Sequence, residues 1–485
     1  MKRYIAMLLI ALPLGLNAAE TRPNIVWMFS DDHAYQAVGA YGGRFKPLNL
    51  TPNIDTLARD GMVFDRAYVA NSICAPSRAT LLTGKHSHLN GKFDNIGGFN
   101  HDQQQFQKIL QKNGYQTVMI GKIHLNGAMQ GFDYWEVLPG QGRYWSPKFI
   151  TAEGQTLYKG QHSTKVITDR ALNWLETGRE ADKPFMLMVH YKAPHRHWNP
   201  NKEMQEKFAT MTFPEPSTLF DDYEGRGTAA HKQDMSISKT MLRGLDLKAN
   251  EGPRKAEMDK LLDHPEALLR WKYQTYMRDY LACIAGVDAN VGRILKFLKE
   301  NDLESNTIVM YAADQGFYLG EHGWFDKRFM YEESFRTPLL ARWPGVVEPG
   351  TRNTDLVQNI DFAETFLEIA QTPIPEDMQG HSLVPLLKGK TPEDWRTSLY
   401  YHYYEYPGYH SVRRHEGVTT KRHKLIRFYG QDVPTGEEWE FYDLETDPEE
   451  MHSQYRNPEQ ATIVASLKKE LKRLRKEYKV PNSTP

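Results

Sequence analysis

Short apolar runs recur along the chain, and each of the longest ends in a polar cluster. The first, Pro23 to Ser30, is continuous and rich in aromatic and β-branched residues, and Asp31-Asp32-His33 follow it directly. An unbroken run of this length bounded by polar residues reads as a strand buried on both faces. Thr117 to Ile120, Phe185 to Tyr191 and Thr307 to Ala313 have the same form. They lead into Gly121-Lys122-Ile123-His124, Ala193-Pro194-His195 and Asp314-Gln315-Gly316. Between these runs the spacing turns helical: Thr51 to Ala58, with Thr51 as cap and Pro52 in the first turn; Gln103 to Asn113, with Phe106, Ile109 and Leu110 on one face; Val166 to Leu175; and Tyr273 to Glu300. Val63 to Val69 reads as a short strand leading towards Cys74. Strands alternating with helices predict an α/β fold, a large, mainly parallel or mixed sheet with helices on both faces. Sites in such sheets lie beyond the carboxyl ends of the strands, where Asp31, Asp32, Lys122, His195 and Asp314 all fall.

Two stretches break the alternation. Residues 200–270 are polar and interrupted by Pro214, Pro216, Gly225, Gly227 and Gly252, which predicts loops and short helices beside a substrate cleft. Beyond about residue 390 the strands become tyrosine-rich: Ser398 to Tyr404, Glu416 to Thr420, Lys424 to Tyr429 and Trp439 to Tyr442. With a charged amphipathic helix over about Pro458 to Tyr478, they predict a smaller antiparallel sheet with a helix on one face. Pro481 to Pro485 read as disordered.

At the start, Lys2 and Arg3 precede a short apolar run from Ile5 to Leu16 and the small residues Asn17-Ala18-Ala19. This is the pattern of a cleaved signal peptide, too short to span a bilayer. No later run reaches membrane length. The expected organisation is a signal peptide over 1–19, a catalytic domain over 20–390 and a C-terminal α+β subdomain over 391–485, in a periplasmic or secreted protein.

Lysine and arginine number 60 against 61 acidic residues, a balance that argues against a nucleic-acid or membrane-surface partner. An exported chain of 485 residues with only two cysteines is not built on disulfides. Cys283 lies in an apolar helical stretch and reads as packing. Cys74 has a different context, Cys74-Ala75-Pro76-Ser77-Arg78 followed by Leu82-Thr83-Gly84.

That run resembles the maturation signature of the type I sulfatases, in which the cysteine is oxidised to Cα-formylglycine. Ser30-Asp31-Asp32, Gly121-Lys122-Ile123-His124, Ala193-Pro194-His195 and Asp314-Gln315-Gly316 with Lys327 downstream follow the same family's order, so the resemblance covers nearly the whole mature chain. It implies an alkaline-phosphatase-like fold, a formylglycine-generating enzyme as maturation partner, and a divalent cation, usually calcium, held by Asp31, Asp32, Asp314 and Gln315 beside the modified Cys74. Carboxylates and an amide are hard oxygen donors that suit Ca²⁺ or Mg²⁺. The family most often has Asn or His where Gln315 stands, so that ligand departs from its pattern.

The chemistry implied is covalent. The hydrated aldehyde accepts the sulfuryl group and, on losing a proton from its second hydroxyl, expels sulfate. Lys122 and Lys327 are expected to hold the sulfuryl oxygens, His195 to protonate the leaving alcohol, His124 to act as base in the second step, and Arg78 to steady the nucleophile. Arg196, His197 and Trp198 beside the acid, and His410, Arg413 and Arg414 in a tyrosine-rich segment, are expected to bind a sulfated carbohydrate. That region resembles bacterial glycan sulfatases of the heparan-type N-acetylglucosamine-6-sulfatase kind. The alternatives are a phosphonate or phosphate monoesterase of the same superfamily and a glycan-binding protein without turnover.

Overall fold

The predicted apolar runs lie side by side in a ten-stranded sheet of the computed structural model, which describes residues 22–482. The expected signal peptide falls outside those residues. The strand order is Thr351–Asn353, Met62–Phe64, Leu339–Arg342, Thr307–Ala313, Asn24–Ser30, Phe185–Tyr191, Gln116–Lys122, Tyr134–Leu138, Lys148–Thr151 and Gly154–Leu157. The five strands from Thr307–Ala313 to Tyr134–Leu138 run parallel, and antiparallel pairs flank them on both sides. The sheet is therefore mixed, with a parallel centre.

Burial on both faces explains why the central runs carry no polar alternation. Val26 and Met28 point into one core, beneath the long helix Pro265–Glu300, while Ile25, Trp27 and Phe29 point into the other. There Trp27 packs edge-on against Phe362 and Phe366 of the helix Phe362–Ile369. The register levels the carboxyl ends. Ser30 pairs with Tyr191 and Ala313, and Gly121 with His190, so the polar clusters after these strands emerge along one rim.

Several boundaries differ from the sequence reading. Val63 to Val69 is two short strands, Met62–Phe64 and Ala67–Tyr68, in different sheets, because the chain turns at Asp65-Arg66. The helix expected from Thr51 begins at Ile54. A long-range partner caps it: Asp288 accepts the Asn53 and Ile54 amides at 2.9 and 2.8 Å, while the Thr51 hydroxyl accepts the Gly39 amide at 2.8 Å. The edge hairpin Lys148–Thr151 and Gly154–Leu157 is polar and largely exposed, so hydrophobic patterning did not announce it. Residues 200–264 form the expected irregular segment, with short helices Lys202–Phe208, Thr228–Lys232 and Gly252–Asp259; the long helix expected from Tyr273 already begins at Pro265.

The C-terminal sheet is antiparallel and four-stranded: Ser398–Tyr403, His415–Thr420, His423–Tyr429 and Glu437–Asp443. The helix Ala461–Glu477 covers one face through Val464, Leu467, Leu471 and Leu474. The other face, including Leu399, Tyr401, Tyr403 and Phe428, shares a hydrophobic cluster with Ile73, Trp324, Phe329 and Phe335, just below the rim of the large sheet. No helix among the described residues is long and apolar enough to cross a membrane.

Candidate active site

Cys74 opens the helix Cys74–Thr83, whose ten residues are all buried, and Gly84 closes it in the left-handed conformation at φ 63°. This start lies at the sheet rim. Cys74 is fully enclosed, and its Sγ lies 3.2 Å from Asp31 Oδ1 and 3.5 Å from both Lys327 Nζ and Gln315 Nε2. Burial, reinforced by Asp31, pushes the thiol well above its ordinary range. An unmodified Cys74 is therefore held as a neutral thiol, the unreactive form of a cysteine.

Three carboxylates surround it, all fully buried. Asp314 Oδ1 accepts the Asp32 amide at 2.9 Å, and the Gln315 amide nitrogen bridges Asp32 at 2.5 Å and Asp314 at 2.9 Å. Each acid also has a cation. Lys122 Nζ binds Asp31 and the Gln141 side chain; Lys327 Nζ donates to both oxygens of Asp32 at 2.5 and 2.7 Å; Arg78 meets Asp314 at 2.9 Å. Burial alone would raise all three acids. For Asp31 the cations Lys122 and Arg78 prevail and hold it well below the carboxylate range, whereas Asp32 is raised and Asp314 is pushed up to about 7 by burial and its neighbour Asp31. Oxygen ligands from Asp31 and Asp32, with Cys74 and His195, converge within 4.8 Å, a grouping that could hold a metal ion. The Gln315 carbonyl oxygen is buried without any hydrogen-bond partner. Clustered buried carboxylates and an orphaned amide oxygen fit a hard divalent cation.

Two glycines in the motifs are set by close approach. A Cβ at Gly121 (φ 113°) would sit 2.0 Å from the His190 carbonyl oxygen, and one at Gly316 would sit 2.1 Å from that of Glu333. Four site residues also hold left-handed backbone: Asp32 at φ 66°, His124 at 54°, Asp326 at 75° and Arg328 at 103°. Such conformations cost about 1–3 kcal/mol each and persist where surrounding contacts enforce them.

The site opens into a cavity of about 820 Å³ whose inner wall includes His124, His195 and Lys327. His195 Nε2 stands 3.9 Å from Asp32 Oδ2, and its own carbonyl accepts the Tyr144 hydroxyl at 2.6 Å. Burial and Lys122 lower both histidines, His195 well below its ordinary range and His124 to about 2, so both imidazoles are neutral at neutral pH in the free protein. Arg196 and His197 also line the cavity, both anchored on Asp246: Arg196 through two bonds of 2.7 and 2.6 Å, His197 through Nδ1 at 2.7 Å. His410 also lines the cavity, 3.2 Å from Asp326, which binds Arg328 as well.

Three expected binding residues stand elsewhere. Trp198 is fully buried, its ring 4.4 Å from that of Tyr276, in the core under the long helix; the next residue after a polar pair turns inward and offers no face to a sugar. Arg413 and Arg414 border a separate cavity rather than this one; they follow the turn Pro407–Ser411 that carries His410.

Sequence reasoning missed Gln141, Asp246, Asp326, Arg328 and Lys192. Asp326 stands beside Lys327, and that adjacency was the available signal; Asp246 lies in the irregular insertion and offered none. Lys192 is buried with its Nζ 4.9 Å from the centre of the Tyr144 ring; burial and Lys122 lower it to about 8.

Comparison with known proteins agrees with this arrangement. Residues 23–372 match the Sulfatase family model, and residues 320–477 match the model of the N-sulphoglucosamine sulphohydrolase C-terminal region. An N-acetylglucosamine-6-O-sulfatase of Bacteroides thetaiotaomicron is 46% identical over 94% of this chain and 87% of its own length. The human N-acetylglucosamine-6-sulfatase is 28% identical over 80% of this chain and 68% of its own. A solved structure of a protein in complex with its substrate, D-glucosamine-2-N,6-O-disulfate, superposes with a TM-score of 0.89 at 45% identity, covering 95% of this chain and 99% of that one. The phosphonate monoester hydrolase of Agrobacterium radiobacter, at TM-score 0.71 and 18% identity over 94% of this chain and 96% of its own, shares the fold alone. With the cysteine helix, the acidic cluster and the full-length similarity all in place, the chain belongs to the sulfatase family.

Proposed function

We propose that this protein is exported and hydrolyses a sulfate ester on an amino sugar of a glycan, the 6-O-sulfate of an N-acetylglucosamine or related glucosamine unit. The observation that carries the reading is the setting of Cys74, enclosed at a helix start among three carboxylates and two lysines. The 46% identical relative named for N-acetylglucosamine-6-O-sulfate and the similar structure with a glucosamine disulfate support the sugar.

A divalent cation, Ca²⁺ by the hardness of the donors, would be held by Asp31, Asp32, Asp314 and the Gln315 carbonyl oxygen, and would polarise a sulfuryl oxygen. Formylglycine made from Cys74 would supply, as its hydrate, a nucleophile that returns to the aldehyde when sulfate leaves. A formylglycine-generating enzyme would act before the chain closes over Cys74, because the thiol is inaccessible in the fold.

The remaining work falls to side chains already in place. Lys122 and Lys327 stabilise negative charge on the sulfuryl oxygens in a site that excludes water. Arg78, its guanidinium fixed by Asp314 at 2.9 and 3.0 Å, keeps the cysteine-derived group between the carboxylates. His195 faces the cavity and delivers a proton to the departing sugar oxygen; it is neutral in the free site, and an anionic sulfate ester beside it favours its protonated form. His124, neutral and with Nδ1 unpartnered, is placed to take a proton as sulfate is expelled. Arg196, His197 and His410 line the walls that meet the sugar, whose ring fits a cavity of about 820 Å³.

Two measurements test the reading together. The peptide spanning Cys74, from protein made in a host that converts such cysteines, should have the mass of the aldehyde. That protein should release sulfate from N-acetylglucosamine-6-sulfate faster than phosphate from the matching phosphate ester. Unconverted cysteine with binding but no turnover would make it a glycan-binding protein instead, and faster phosphate release would make it a phosphomonoesterase.

A further inference from the structure

Arg413 is only 6% exposed, and its Nε and Nη1 have no hydrogen-bond partner; among the described residues it pairs with no carboxylate. A guanidinium buried without a counter-charge is costly, so an unsatisfied one beside a cavity marks a place for an anion. Arg413 lines such a cavity, of about 400 Å³, with Arg414, Tyr406, Gln431 and a single carboxylate, Asp432, so that two arginines against one acid leave the lining net positive. Arg414 is anchored there by one nitrogen, which donates to the Tyr404 carbonyl at 2.9 Å. Two adjacent arginines suit a planar carboxylate or a sulfate, which accept paired hydrogen bonds.

The position of this cavity ties it to the cleft. The Ser411 amide donates to the Pro407 carbonyl at 2.9 Å, closing a single turn. Tyr406 and Pro407 on one side of that turn, and Arg413 and Arg414 after it, face the small cavity. Tyr409, 79% exposed, and His410 face the cleft. The two cavities are therefore lined by near neighbours on one short turn of chain.

We propose that the Arg413–Arg414 cavity is a second glycan subsite, which holds the anionic group of the sugar next to the one whose sulfate is removed. The inference rests on the glycan reading above and adds to it: the enzyme recognises a charged neighbour as well as the ester. Carboxylate and sulfate share the chemistry, and the test separates them.

Three disaccharides carry the same 6-O-sulfated N-acetylglucosamine, joined to a uronic acid, to a sulfated hexose or to a neutral hexose. The mature enzyme should show kcat/KM about tenfold higher for one or both charged partners than for the neutral one, the scale of a charge-assisted contact. In Arg413→Gln and Arg414→Gln that ratio should fall, and in the double variant approach one. Calorimetry on Cys74→Ala protein with the same disaccharides reads the preference without turnover. If Arg413→Gln fails to fold, Arg414→Gln carries the test. A ratio near one in the unaltered protein, or a preference that survives both substitutions, overturns the subsite. Absence of sulfate release from all three sugars overturns the parent reading instead, and calorimetry still decides the subsite.

Discussion

Lys327 grips both carboxylate oxygens of Asp32, at 2.5 and 2.7 Å, while its Nζ stays 3.5 Å from Cys74 Sγ. One ammonium thus touches a proposed metal ligand and the residue proposed as nucleophile precursor. Replacing it by alanine removes a fixed positive charge from the proposed sulfuryl position. Sulfate release by Lys327→Ala should fall at least about 100-fold, the usual cost of one preorganised donor, with the peptide mass at Cys74 unchanged. Activity within a fewfold of the parent would remove Lys327 from the mechanism.

Chelation should act on stability as well as on rate. With three buried acids at one point, a bound cation stabilises the fold, by about 2.7 kcal/mol at a hundredfold excess over its Kd. Dialysis against a chelator should lower Tm by several degrees and abolish sulfate release. Calcium should restore both, and neither should move in Asp32→Asn protein to the same extent. An unchanged Tm would speak against a metal at these residues.

His410 lines the cavity proposed to hold the sugar and is held by Asp326 at 3.2 Å. For His410→Ala, KM for the natural glycan should rise about tenfold, the loss of one good hydrogen bond, with little change for a small aryl sulfate. Steady-state kinetics on both substrates decides it; equal changes would make His410 a structural residue held by Asp326.

Away from the site, Glu364 sets a pH dependence. Burial, with Asp361 nearby, pushes its carboxyl up to about 8, and only Oε1 has a partner, the Gly380 amide at 2.6 Å. Its folded value lies above the unfolded value near 4.5, so the native state binds the extra proton. That contribution is complete below about pH 4.5 and is lost as pH rises towards 8. Glu364→Gln, which keeps the acceptor and cannot ionise, should therefore match the parent at pH 5 and melt higher than it at pH 8.5. Melting curves at the two pH values would show it; a parent more stable at pH 8.5 reverses the sign and refutes the assignment.

The parallel centre of the fold was legible because buried strands leave uninterrupted apolar runs: Phe185–Tyr191 and Thr307–Ala313 fall where the runs do. The small sheet was legible for a different reason, the strand preference of its clustered aromatic residues. What escaped depends on distant contacts. Asp288 caps a helix more than two hundred residues away, and Asp246 orients Arg196 and His197 from an irregular segment. Trp198 shows the opposite failure: an aromatic beside a polar pair suggested a sugar platform, yet packing against Tyr276 claims it. Linear neighbours of a functional residue share its address, and the local turn decides which of them share its direction.

The Tyr401 hydroxyl donates to the Arg328 carbonyl, and the Ser72 amide donates to that hydroxyl at 3.3 Å. Tyr401 belongs to the small sheet; Ser72 precedes the cysteine helix and Arg328 follows Lys327. The late-synthesised part of the polypeptide therefore acts as a keystone, wedged between two segments that bring the cysteine and the lysine together. Shortening the protein to its first 390 residues would not yield a leaner catalyst. It would strip an aromatic floor from beneath Ile73 and Phe329 and leave the reacting groups without a fixed separation.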